Sequence, residues 1–225
     1  MLALDLLRLT ALMARTTGNP EIRVALIDGP VATQHAGLAG TQLRRIGGDA
    51  AATCRQADSI ACLHGTFVAG ILTGNRGSVA PAICPGCTLL VRPIFAELDS
   101  RRDGDRMPSA PAVDLAAAIL DSVEAGASIV NLSLGVARAS ARDELLLQQA
   151  LDRALGRGVI VTAAAGNQAT LGSSVITRHP WVIPVVACDL RGRPLNESNL
   201  GSSIGKRGLR APGDKITSLC SEGGL

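Results

Sequence analysis

Two kinds of stretch alternate along the chain. Short, nearly unbroken apolar runs at 22–27, 87–94, 128–134, 159–165 and 181–187 read as strands buried on both faces. Most end at a polar or glycine turn, such as Asp28-Gly29-Pro30, Gly135 and Gly166-Asn167. Between them lie longer stretches with helical periodicity. One spans 113–125, with Asp114 near its start and Gly126 as its stop, and another spans 141–155. The segment Leu63-His64-Gly65-Thr66-Phe67-Val68-Ala69-Gly70-Ile71 reads as a helix with an imidazole at its entrance, closing at 74–77. Upstream, Leu2, Leu6, Leu9 and Met13 recur at helical spacing, and Leu4, Leu7 and Leu12 widen that face until 16–20 stops it. Residues 32–62 and 97–111 read as loops, and Pro184 points to an edge strand or a bulge.

Strands that alternate with helices and are apolar throughout predict an α/β fold. The expected form is a three-layer sandwich, a mostly parallel central sheet with helices on both faces. In such sheets functional groups gather at the carboxyl ends of the strands, and Asp28 sits at one. No internal repeat and no low-complexity segment interrupts the pattern.

Composition narrows the function. The 225 residues are 47% apolar and 18% charged, which suits a packed globular core, and aromatics are only 1%, so Ala, Val, Leu and Ile must build it. The net charge of +3 is mild, and Arg101-Arg102 and Lys206-Arg207 are short pairs, so nothing favours nucleic acid as a partner. No apolar run approaches the ~20 residues needed to span a membrane. The first residues lack the basic start of a secretion signal, which makes a cytoplasmic product the default expectation. The six cysteines are Cys54, Cys62, Cys84, Cys87, Cys188 and Cys220. Their spacing leaves free thiols, local disulfides and a structural zinc all open, although Cys54 and Cys62 stand too far apart for the usual zinc knuckle.

Asp28 ending a strand, His64 on a helix and Asn167 after a later strand form an ordered set of candidate chemistry. Together with their surroundings they resemble the subtilisin-like serine proteases. Ala25-Leu26-Ile27-Asp28-Gly29 looks like that family's acid motif, and His64-Gly65-Thr66-Phe67-Val68-Ala69-Gly70 like its histidine motif. Asn131-Leu132-Ser133-Leu134-Gly135 resembles the strand lining its substrate cleft, Ala164-Ala165-Gly166-Asn167 its oxyanion-asparagine motif, and Ala211-Pro212-Gly213 the tripeptide before its nucleophile segment. A narrower resemblance, through Asp28-Gly29-Pro30-Val31 and the leading helix, is to the proteases that mature cyanobactin-type ribosomal peptides.

The resemblance implies roles. His64 would be the general base, Asp28 its orienting carboxylate and Asn167 an oxyanion donor. Ser133, Leu134 and Gly135, with Ala164, Ala165 and Gly166, would be the walls that hold an extended peptide or protein substrate. It calls for no cofactor and no metal. It divides the chain into an N-terminal helical extension, 1–20, and a peptidase domain, 21–225. His35 and His179 lack such company and read as structural or loop residues.

One part of the pattern is missing. No Gly-Thr-Ser segment occurs anywhere, and Ser218 and Ser221 lack its flanking residues. The domain therefore reads as C-terminally incomplete, without its nucleophile and the helix that carries it. The expected consequences are an inactive chain and an apolar surface awaiting a partner or a further segment. The alternative function is a non-catalytic pseudoprotease that binds extended peptides. A nucleotide-binding domain is disfavoured, because no Gly-rich phosphate loop follows the first strand.

Overall fold

The structure is a computed structural model that describes residues 2–48, 53–78, 80–97, 110–134 and 140–221. Seven strands among these form one parallel sheet: β1 (Arg23–Asp28), β2 (Gln42–Arg45), β3 (Thr88–Pro93), β4 (Ile129–Leu132), β5 (Ile160–Ala164), β6 (Val182–Cys188) and β7 (Leu209–Pro212). Their order is β2-β3-β1-β4-β5-β6-β7. The chain leaves β1 for the sheet edge, returns beside it as β3, then crosses to its other side as β4. That reversal makes the carboxyl end of β1 the topological switch point, where open α/β sheets bind ligands.

Strand alternation separates two cores. Ala25 and Ile27 of β1 join Leu90, Val130, Leu132, Val161 and Val182 against helices α4 (Ala112–Glu124) and α5 (Ala141–Gly156). Val24 and Leu26 face the other way, with Leu89, Val91 and Ala69, under helix α3 (Ile60–Thr73). The chain returns to this second core near its end, where Leu219 is buried against α3.

The α3 layer covers only part of its face. Every β1 residue from Val24 to Asp28 is buried, as is every β3 residue from Leu89 to Pro93. In β6, buried positions alternate with half-buried Ile183, Val185 and Ala187, and in β4 and β5 with half-buried Asn131 and Thr162. The partly open strip lies opposite the α4–α5 core. A cavity of about 660 Å³ lies between Leu4, Leu7 and Leu9 near the start of the chain, Phe67 and Ile71 of α3, and the segment from β7 to Thr217.

Several expectations need correction. The leading helix is two short ones, α1 (Leu2–Leu6) and α2 (Leu9–Met13), because Arg8 adopts φ 55 and breaks the run. The stretch 32–62 contains β2 and the first turn of α3. That helix starts at Ile60, since Ser59 caps it by accepting the Cys62 N–H, so His64 stands in its second turn rather than at its entrance. Residues 209–212, left outside the predicted strands, form the edge strand β7. Pro184 is in neither an edge strand nor a bulge: β6 lies between β5 and β7, and its pairing with β5 runs through Ala163↔Pro184 without an inserted residue. The Val185 carbonyl accepts from Ala165, so Pro184 points toward β7, whose pairing begins only at Val185. The missing N–H therefore costs no ladder bond. Most of the loop expected at 97–111 lies outside the described residues. The small helices α6 (Val175–Arg178) and α7 (Ser202–Arg207) complete the elements used below. No helix among the described residues is long and apolar enough to cross a membrane.

Candidate active site

The parity of β1 aims Asp28. It follows Val24 and Leu26 on the α3 side, at the carboxyl end of the strand, and is fully buried. Two glycines let α3 come close enough to meet it. A Cβ on Gly29 would stand 2.0 Å from the Ala61 carbonyl oxygen, and one on Gly65 would stand 2.5 Å from that of Pro30. Helix and turn are therefore in backbone contact, which fixes the height of His64 over the strand end. Thr66, also buried, adds a tie by accepting the Ala32 N–H at 2.9 Å.

His64 Nδ1 lies 2.7 Å from Asp28 Oδ1. The same oxygen accepts the Gly29 N–H at 2.6 Å. Oδ2 is buried and has no hydrogen-bond partner among the described residues. A buried carboxylate with one unsatisfied oxygen interacts strongly with its neighbouring donor, because little else screens it. The His64 pKa is raised above its usual 6.5, chiefly by the hydrogen bond to Asp28; burial opposes this and the Asp28 charge reinforces it. With Nδ1 committed to the carboxylate, Nε2 becomes the nitrogen that can take or give a proton, and the ring is 38% exposed.

The remaining candidates extend along the carboxyl edge on the far side of β1. Asn131 Nδ2 donates to Ser133 Oγ at 2.6 Å, and its Oδ1 accepts from Thr162 Oγ1 at 3.3 Å. Leu134 packs against the α4–α5 core, so its side chain is turned away from the Asn131 face. Gly135 lies outside the described residues. Ala164 ends β5, the Ala165 N–H donates to Val185, and Gly166 has φ +104. Asn167 follows in an exposed bend, and among the described residues no hydrogen bond joins it to Asp28 or His64.

Sequence reasoning missed the residue that organises this bend. Asn199 Oδ1 accepts the N–H groups of Gln168 and Thr170 at 3.0 and 3.1 Å. Its Nδ2 donates to Gln168 Oε1 at 2.7 Å, and its own N–H donates to the Gly166 carbonyl at 2.8 Å. Nothing in the polar stretch 196–199 marks one asparagine from the other; only the fold brings Asn199 to the end of β5.

The other histidines have local roles. His35 caps a 3-10 turn, accepting the Gly37 N–H at Nδ1. His179, expected to be a loop residue, is buried at the end of α6 with Nε2 3.1 Å from Asp152. It precedes β6 and so lies at the amino edge of the sheet, opposite Asp28. Cys54 and Cys62 form a disulfide, while Cys84, Cys87, Cys188 and Cys220 are free. The serines of the tail are both engaged: Ser218 Oγ donates to the Phe67 carbonyl at 2.6 Å and Ser221 Oγ to that of Ala57.

A buried carboxylate bonded to an imidazole, at the carboxyl edge of a parallel sheet, is an arrangement that can hold the ring in one tautomer and stabilise its protonated form. Residues 19–223 match the subtilase family, and the chain belongs to that family. It is 25% identical to subtilisin DY of Bacillus licheniformis over 220 residues, covering 96% of this chain and 73% of that protein. Two longer curated relatives are spanned only to 35% and 39% of their length. Among solved structures, a serine-to-alanine mutant of the protease domain of PatA superposes with a TM-score of 0.80 at 34% identity, covering 92% of this chain and 72% of that one. The prenylagaramide maturation protease PagA superposes with a TM-score of 0.81 at 32% identity, covering 96% and 71%.

Proposed function

We propose that this chain is the acid–base and substrate-binding part of a subtilisin-type endopeptidase whose substrate class is a ribosomally made precursor peptide. The observation that carries the reading is the 2.7 Å contact between His64 and the fully buried Asp28. A serine hydroxyl attacks a carbonyl only when a base removes its proton, and His64 Nε2 is the base in this reading. Asp28 holds the ring in the tautomer with Nε2 open and stabilises the imidazolium that forms. The Asn167 side-chain amide donates to the oxyanion; in subtilisin itself the loss of such a donor costs ~3 kcal/mol. Ser133, Leu134 and Gly135 with Ala164, Ala165 and Gly166 bind the peptide as an added strand through main-chain hydrogen bonds. The presence of maturation proteases among the similar structures supports the substrate class.

The 225 residues contain no Gly-Thr-Ser segment, and the hydroxyls of Ser218 and Ser221 are donated to backbone carbonyls. In this reading the chain alone binds peptide without turning it over. The half-open strip over β4, β5 and β6 receives the segment that brings the nucleophile.

Sequencing the coding region past Leu225 tests this directly. A Gly-Thr-Ser-x-Ala continuation predicts a product that cleaves peptides, loses cleavage with His64→Ala, and gains rate with pH through a His64 pKa above 6.5. Unchanged turnover in His64→Ala refutes the base. If no such segment follows and the chain still binds extended peptides, the pseudoprotease reading replaces the enzymatic one. On the 225-residue chain a fluorophosphonate should label nothing; stoichiometric labelling of Ser218 or Ser221 would overturn the assignment of an absent nucleophile.

A further inference from the structure

Cys54, Cys62 and Glu97 meet beside the start of α3. The two sulfurs are joined, and they and one Glu97 oxygen lie within 4.8 Å of one another. Glu97 is oriented by the loop it faces: it accepts the N–H groups of Arg55 and Gln56, each at 3.0 Å, and the Ser59 hydroxyl at 3.3 Å. Ser59 is the cap of α3 and Cys62 its third residue. The cluster thus ties residues 54–59 to the helix that carries His64, two positions beyond Cys62. Cys62 is fully buried, whereas Cys54 lines a cavity of about 1100 Å³ with Thr53, Arg55 and His35, which offers small ions a path.

We propose that this cluster has two forms: the disulfide and, once reduced, a site for a thiophilic divalent cation such as Zn2+. The cation would be held by Cys54 Sγ, Cys62 Sγ and a Glu97 oxygen, with water completing a tetrahedron. Zinc–sulfur bonds of ~2.3 Å and zinc–oxygen bonds of ~2.0 Å put tetrahedral ligand atoms ~3.5 Å apart; the Glu97 oxygen lies within 4.8 Å of both sulfurs, and the two sulfurs part to that spacing once their bond is opened. The amide groups on Glu97 are the kind of outer hydrogen bonds that orient a metal ligand.

The chemistry balances with a dithiol as reductant. It supplies two electrons and two protons to the Cys54–Cys62 bond, which opens to two thiols while the reductant closes to its own disulfide. The cation then binds as both thiol protons leave to solvent. The disulfide does not persist where thiols are kept reduced, and the cation maintains the tether next to His64 there.

The test uses the 225-residue chain carrying Cys84→Ser and Cys87→Ser, which removes the other close cysteine pair. The protein is reduced with a dithiol, freed of it by gel filtration and titrated with Co2+. One equivalent should bind with a sulfur-to-cobalt charge-transfer band, and Zn2+ should bleach it. Adding Cys54→Ser and Cys62→Ser together should abolish the band. Glu97→Gln, which keeps an acceptor for the loop amides, should weaken binding at least ~10-fold. A reduced chain that loses its helical circular dichroism and regains it with one equivalent also supports the site. No band, a band that survives the double Cys54 and Cys62 variant, full affinity in Glu97→Gln, or a reduced chain that the metal does not refold each overturns it.

Discussion

Gly65→Ala gives a prediction whose sign tests how the pair is built. Gly65 lies inside α3, where alanine is intrinsically favoured over glycine by ~1 kcal/mol. On helix propensity alone the substitution should stabilise. The structure argues the reverse, because the added carbon would stand 2.5 Å from the Pro30 oxygen and 2.6 Å from the Gly29 oxygen. Non-bonded heavy atoms sit at ~3.5 Å, so about 1 Å must open between two backbones, neither of which is a flexible side chain. Overpacking of that kind costs up to ~3 kcal/mol, leaving about 2 kcal/mol net destabilisation, or a Tm lower by ~4–8 °C for a domain of this size. The same separation stretches the 2.7 Å Asp28–His64 bond beyond hydrogen-bonding range, so the His64 titration should fall back toward 6.5. Circular dichroism melting and the imidazole proton resonance of His64 measure the two effects. Gly205→Ala is the control: it is an exposed helical glycine in α7 with nothing within 4 Å of the added carbon, and should raise Tm by a few degrees. If Gly65→Ala also raises Tm and leaves the His64 titration in place, backbone contact does not set the pair.

Three further outcomes can be measured on the same chain. Because His64 has a raised pKa in the folded state, its pairing contributes stability fully below 6.5 and loses it as pH rises through the folded value; Asp28→Asn should therefore cost more in urea midpoint near pH 5.5 than near pH 8.5, and an equal cost at both would refute the linkage. Asn199→Ala should speed amide exchange at Gln168 and Thr170 by ~10-fold or more, with Asn199→Asp, which keeps the acceptor, closer to wild type; unchanged exchange would show that the bend holds itself. Burial, reinforced by neighbouring Cys87, pushes the Cys84 thiol up to about 12, so haloacetamide at neutral pH should alkylate it ~100-fold more slowly than an ordinary thiol, as read by mass spectrometry; equal rates would contradict that environment.

What the sequence made legible follows from which signals are local. The apolar runs placed the central strands, and the turn after Ile27 placed Asp28 at a strand end, because period and punctuation are written in neighbouring residues. The true start of α3 was less visible: the cap at Ser59 precedes an apolar run that carries no sharp boundary, and a histidine followed by glycine looks like a better one. Strand β2 escaped because only Leu43 of its four residues is apolar, as suits an edge strand covered by little. Cys54 pairs with Cys62 rather than joining the Cys84-x-x-Cys87 turn, a choice made by the path of the loop before α3.

The two faces of the sheet are covered unequally. β1 and β3 are buried on both sides because α3 covers one of them and α4 with α5 the other. The exposed side of β4, β5 and β6 also carries apolar groups, Ile183 and Val185 among them, but places Asn131, Ser133 and Thr162 in one hydrogen-bonded row beside them. Under the proposed function, this apolar strip bordered by an ordered polar row is the surface on which the nucleophile segment would sit next to α3. The Asp28–His64 contact is complete within β1 and α3, so under the proposed function it forms without that segment. The proposed substrate walls and the Asn167 bend lie along the half-covered edge, and under the same reading they are the parts whose geometry that segment would settle.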